Sequence, residues 1–292
     1  MRITPQRSRQ IFGNPAPPQT VWEKQFDYFD SELKNIAHKD WRKITGEDLW
    51  YYFHDLAYVE LQPDLFQYLF PVCLNYWYET LMNNQSADRG DSEFHYCLYR
   101  GKILEKMVTP KVREAIYNFF HDGLIDRIEV ERGFIYNKAS TPAYAWIQRF
   151  NSIGYVAPII DRIWTTWWKF DHPGKAISAI MYASGLIYLE GENPIFGMWT
   201  PEDGGGGPYL SESDARIFDV GWLNENLEFL RNTLSVQYIQ QKLKQAADRL
   251  QLEPEKNVAY QVAEDAQTRG EVIEICIEDL LTKLSKPSSQ HY

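Results

Sequence analysis

The groups with which this chain could do chemistry are six histidines, three cysteines and forty carboxylates. A helical metal site needs two histidines three or four residues apart. His38, His54, His95, His121, His172 and His291 contain no such pair, and there is no H-E-x-x-H, C-x-x-C or EF-hand loop. No metal and no other cofactor is expected. A serine nucleophile would sit in a G-x-S-x-G turn, which is absent. Folding could bring Cys97 to His95 or Cys73 to His54, but a cysteine among aromatic residues ordinarily fills a core. Three His–Asp neighbours remain: His54-Asp55, His121-Asp122 and Asp171-His172. Adjacent side chains on a helix diverge by about 100°, so they read as helix-end or surface polarity rather than as catalytic pairs. His121-Asp122-Gly123 reads as a helix terminus, where a histidine suits the negative end of the dipole. No catalytic residue is nominated, and the reading leans away from an enzyme.

Three further patterns point to recognition. Gly204–Gly207 resembles a phosphate loop, but Pro208-Tyr209 follows where Lys and Ser/Thr would be required, and Glu202 and Asp203 would repel a phosphate. Trp199, Glu202, Asp203 and Tyr209 instead describe either an aromatic-edged recognition loop or a surface insertion. Trp164, Trp167 and Trp168 could line a stacking groove, although core packing is favoured. Glu271, Glu274 and Glu278 recur at steps of three and four, an acidic stripe on one helix face. Val272, Ile275 and Leu284 are available to face the core behind it. The stripe is either a solvated face or an electrostatic docking surface for a basic partner.

The elements that must position these residues are helical. Thr20 opens a helix with a capping box to Glu23, and Trp22, Phe26, Phe29, Leu33 and Ile36 share one face. A second helix spans 45–58, with Leu49, Phe53 and Leu56 inward. Residues 65–81 are apolar nearly all round, and Pro71 predicts a kink or break there. Thr109-Pro110 starts a helix with Val112, Ile116, Phe119 and Phe120 inward and Gly123 as its stop. Residues 128–136 read as a short strand or an extended connector. Further helices are predicted over 144–150, 159–170, 176–189, 224–250 with an interruption near Ser235, and 272–284. Residues 190–213 form a long Gly/Pro-rich loop. The predicted architecture is mainly α, an irregular multi-helix bundle. It comprises an N-terminal arm (1–18), an N-terminal helical part (19–138), a C-terminal helical part (139–286) sharing one continuous core, and a tail (287–292).

The chain has 292 residues and a net charge of −10. Residues 51–100 carry −5 and residues 201–292 carry −7, so the acidity is regional. That balance argues against nucleic acid and anionic membrane as partners. No run reaches the ~20 apolar residues of a membrane helix. Three widely spaced cysteines and no secretory signal pattern suggest a cytoplasmic protein. Aromatic residues make up 15 %, which suits both a large core and interface anchors.

Residues 40–122 resemble a poorly characterised bacterial family through Trp41, Leu49, Phe66, Tyr68, Leu69, Pro71 and Leu74, and then through Thr109, Pro110, Ile116, Phe119 and Phe120. Such proteins look like the immunity partners encoded beside Rhs-type polymorphic toxins. The resemblance implies a cytoplasmic protein that neutralises a protein toxin by direct association, and the chain's acidity suits a basic one. Two alternatives stand beside it: a motif-less hydrolase acting on a sugar or ADP-ribosyl group, and a scaffolding subunit of an oligomer.

Overall fold

A computed structural model describes residues 5–21, 30–83, 94, 98, 101–134, 143–144, 147, 157–189, 192–195 and 224–285. Among these residues there are twelve α-helices and no β-strand, so the chain is mainly α. It divides into two compact units, Met1–Gly123 and Leu124–Tyr292. The division falls inside a helix.

The first unit contains α1 (Pro5–Ile11), α2 (Asp30–His38), a 3-10 turn (Trp41–Lys43), α3 (Gly46–Tyr58), α4 (Pro63–Met82), α5 (Ile103–Lys106) and the start of α6 (Pro110–Glu129). The N-terminal half of the helix expected from Thr20, with Trp22, Phe26 and Phe29, lies outside the described residues. Leu33 and Ile36 of the same stripe are buried on α2. Thr45 caps α3 as its sequence predicts. Its hydroxyl accepts from the Asp48 amide at 3.3 Å, and the Asp48 carboxylate accepts from the Thr45 amide at 2.7 Å. Leu49, Phe53 and Leu56 are buried beneath that start.

Helix α4 is the apolar axis of this unit. Phe66, Leu69, Phe70, Cys73, Leu74 and Trp77 are all buried. The break expected at Pro71 does not occur, and the helix continues through it. Proline removes the donor for the Gln67 carbonyl, but Gln67 is exposed and water can serve that oxygen. Burial on nearly every side of the helix then outweighs the lost bond. Gly123 likewise fails to stop α6. It is a packing position, since a Cβ there would stand 2.9 Å from the Trp77 ring. The helix runs to Glu129, so the start of the expected strand at 128 is helical. Residues 135–136 lie outside the described residues.

The second unit contains the end of α6, a 3-10 turn (Ala157–Ile159), α7 (Ile160–Trp167), α8 (Pro173–Ser184), α9 (Asn224–Thr233), α10 (Val236–Arg249), α11 (Lys256–Thr268) and α12 (Gly270–Ser285). Every residue of α8 from Gly174 onward is buried. That burial includes Lys175, only 3 % exposed, whose Nζ lies 2.7 Å from Asp171 Oδ1 and 3.3 Å from Glu129 Oε1. Two partly exposed carboxylates thus neutralise one buried ammonium. The interruption expected near Ser235 is present. Ser235 caps α10, its hydroxyl accepting from the Tyr238 amide at 3.1 Å. Helices α8, α10 and α11 pack on one another, and α12 packs against α9, α10 and α11.

Candidate functional site

The tryptophan cluster is core. Trp164 and Trp168 stack at 4.8 Å with planes 14° apart, and Trp167 and Tyr182 meet Trp164 edge-on. All four are buried. The indole N–H of Trp164 donates to Tyr238 Oη at 3.0 Å, and that of Trp167 to the Lys175 carbonyl at 3.0 Å. These rings have no face open to a ligand.

The catalytic combinations also resolve into structure. Cys73 is wholly buried while His54 is exposed, and Cys97 and His95 lie outside the described residues. His121-Asp122, expected at a helix end, sits within α6 and is bonded across the adjacent positions, His121 Nδ1 to Asp122 Oδ1 at 2.8 Å. Divergence on the helix does not keep these two side chains apart, and Arg7 engages the other carboxylate oxygen at 2.5 Å. Burial pushes the Asp122 carboxyl up, but the His121 and Arg7 hydrogen bonds bring it below its ordinary value. His172 caps α8, its Nδ1 accepting from the Gly174 amide at 3.2 Å. No group of three His, Cys, Asp or Glu among the described residues could hold a metal. The hydrolase reading asks for two carboxylates facing one aromatic pocket. The cavity beside Trp41 and Tyr76 in the first unit is lined by a single one, Glu79, whereas a second cavity of about 270 Å³ in that unit is lined by Glu32 and Asp48 together with Tyr51 and Lys39, which pairs with Asp48 at 2.6 Å.

The acidic stripe is where the structure adds most. Glu271, Glu274 and Glu278 are all exposed on α12, joined by Asp279 on the same side. The inward residues differ from those expected. Ile273, Cys276, Ile277 and Leu280 are buried, Val272 is half-buried, and Ile275 is 65 % exposed. The Leu284 side chain lies outside the described residues. The reason is register. At about 100° per residue the four buried positions centre on one line, and Ile275 falls nearly opposite, amid the carboxylates. Glu271 and Asp279 stand one turn to either side of it, with Glu274 and Glu278 completing the rim. The outward face of α12 is therefore an aliphatic side chain ringed by four acids, covering about 140° of helix surface.

Trp199, Glu202, Asp203 and Tyr209, the recognition-loop candidates, lie outside the described residues. The turn that precedes them, Glu192–Ile195, is held within the second unit. Arg269 pairs with Glu192 at 2.7 Å, and Asn193 donates to the Ser184 hydroxyl at 3.0 Å. Sequence reasoning missed Ile275 as a surface residue and Arg9 as a buried one. For Ile275 the signal was present, because the i, i+3, i+4 stripe 273–276–277–280 excludes it.

Comparison with protein-family models, curated proteins and solved structures returns no match.

Proposed function

We propose that this chain is a cytoplasmic binding protein of a bacterial polymorphic-toxin system, which neutralises a protein toxin by direct association. The observation that carries this reading is the outward face of α12, with Ile275 exposed among Glu271, Glu274, Glu278 and Asp279. An apolar side chain inside a charged rim is the anatomy of a small protein interface. Four carboxylates in one patch would accelerate encounter with a basic surface and fix its orientation. The resemblance over residues 40–122 points the same way.

The test is co-expression with the protein encoded by the adjacent gene. The tagged chain is purified, co-eluting material is weighed by mass spectrometry, and growth is scored in parallel. Stoichiometric co-elution with rescue of growth is expected, with both lost on Ile275→Asp and on Glu271→Lys/Glu274→Lys/Glu278→Lys. A chain that elutes alone, beside a neighbour harmless in its absence, removes the neutralising role. Full binding by both variants removes only α12 as the docking face.

A further inference from the structure

A second site stands apart from that reading, on the first unit. A cavity of about 340 Å³ lies between α1, the 3-10 turn, the start of α3 and one stripe of α4. Its size is that of a small-molecule site. Its walls are held in place. Arg7 ties α1 to Asp122 of α6. Arg42 lies over the Trp41 ring at 4.8 Å. Tyr76 packs so closely on the start of α3 that a Cβ at Gly46 would stand 2.2 Å from its ring. The α4 stripe changes character along its length. Pro71 and Val72 are apolar and buried, whereas Asn75 and Glu79, one and two turns on, are polar.

Two opposite charges line this one space, Arg42 from the 3-10 turn and Glu79 from α4, and they do not pair with each other. Arg42 Nη1 lies 3.4 and 3.3 Å from the two Asp40 carboxylate oxygens. These are long contacts between exposed groups, and they occupy one of the three guanidinium nitrogens. Nε and Nη2 have no partner among the described residues. Glu79 Oε1 accepts from Asn75 at 2.8 Å, and no cation among the described residues pairs with Glu79. A further guanidinium, that of Arg9, lies 4.9 Å from the same Trp41 ring and has no carboxylate partner among the described residues. Two guanidiniums against the one carboxylate of Asp40 favour an anion on the Trp41 side of the cavity.

We propose that this cavity binds a free α-amino acid with a large apolar side chain. Arg42 takes the carboxylate through its unpaired nitrogens, Glu79 takes the ammonium, and the side chain lies on Ile44, Pro71 and Val72. A simple anion would leave Glu79 facing a like charge, and a simple cation would do the same to Arg42. A zwitterion satisfies both. Such a ligand touches α1, α3 and α4 at once, so its binding also stabilises the first unit.

The test is calorimetric titration of the full-length chain with four probes. L-phenylalanine and L-leucine carry both charges, L-phenylalaninamide lacks the carboxylate, and 3-phenylpropionate lacks the ammonium. The amino acids are expected to bind, and each single-charge analogue of phenylalanine to bind about fivefold more weakly or worse. Arg42→Gln is expected to erase the preference for phenylalanine over its amide while keeping that over 3-phenylpropionate. Glu79→Gln is expected to do the reverse. Both side chains are exposed, so both variants are expected to keep native circular dichroism. Failure of phenylalanine and leucine to bind the wild-type chain overturns the proposal. So does binding that neither variant alters, since the ligand then sits elsewhere. Discrimination that depends on Arg42 alone makes the cavity a simple anion site and overturns the amino-acid assignment.

Discussion

Gly174 stands so close to Glu129 that a Cβ on it would lie 2.3 Å from the Glu129 carbonyl oxygen and 2.5 Å from that of Ile128. The start of α8 therefore meets the end of α6 backbone against backbone, and nothing there is free to swing aside. Gly174→Ala is expected to lower unfolding stability by about 2–3 kcal/mol through overpacking, although alanine favours the helix intrinsically. A urea midpoint equal to wild type would show that the two helices do not meet in this way.

The neighbouring ion cluster makes a prediction about acid. The Lys175 hydrogen bond holds the Asp171 carboxyl below its usual value of 3.8. A carboxyl whose pKa is depressed on folding contributes stability above its unfolded value, and that contribution is lost as pH falls through the folded value. Asp171→Asn is thus expected to cost stability at neutral pH and to converge on wild type below about pH 4. Because Asp171 is 63 % exposed, the gap at neutral pH is small, under about 1 kcal/mol. Parallel melting curves at acid and neutral pH measure it, and a gap that widens in acid contradicts the assigned sign.

The two sides of α12 should respond oppositely to substitution. Ile273 is fully buried, and Ile273→Ala is expected to cost about 2–5 kcal/mol. Ile275→Ser, in solvent, is expected to stay within about 0.5 kcal/mol of wild type. Denaturant titration of both variants fixes the register of the helix. If Ile275→Ser proved the more damaging, the candidate docking face would belong to the core instead.

At alkaline pH the tyrosines decide. Burial pushes the Tyr182 phenol up, and burial together with the Asp265 carboxylate, which accepts from Tyr188 Oη at 2.6 Å, does the same for Tyr188. Groups whose pKa rises on folding contribute stability below their unfolded value, and it is lost as pH climbs past about 10 toward the folded value. Tyrosinate absorbance from these two residues is expected to appear only together with loss of circular dichroism. Complete tyrosine ionisation in a chain that keeps its helical signal would contradict their burial.

The helices were legible in the sequence wherever one local rule was decisive. The Thr45–Asp48 capping box, the proline at the first position of α6 and the serine that separates α9 from α10 depend on neighbours within a turn, and each behaves as its chemistry dictates. The acidic stripe of α12 was legible for the same reason, since three glutamates at steps of three and four must share a side. Local rules failed where a distant surface supplied the larger energy. Pro71 should break a helix, but burial of the residues around it holds α4 continuous. Gly123 carries the chemistry of a helix stop, and only the Trp77 ring explains why a glycine is needed mid-helix instead. Arg9 falls in the stretch read as an N-terminal arm, and the rings of Trp41 and Tyr68, far along the chain, are what it packs against inside. Hydrogen bonds within a turn are fixed by sequence spacing, whereas contacts between residues thirty or sixty positions apart exist only after the chain has closed those loops. Spacing within α12 thus already marked Ile275 as the side chain left in water, whereas tertiary packing alone decided which arginine would be taken out of it.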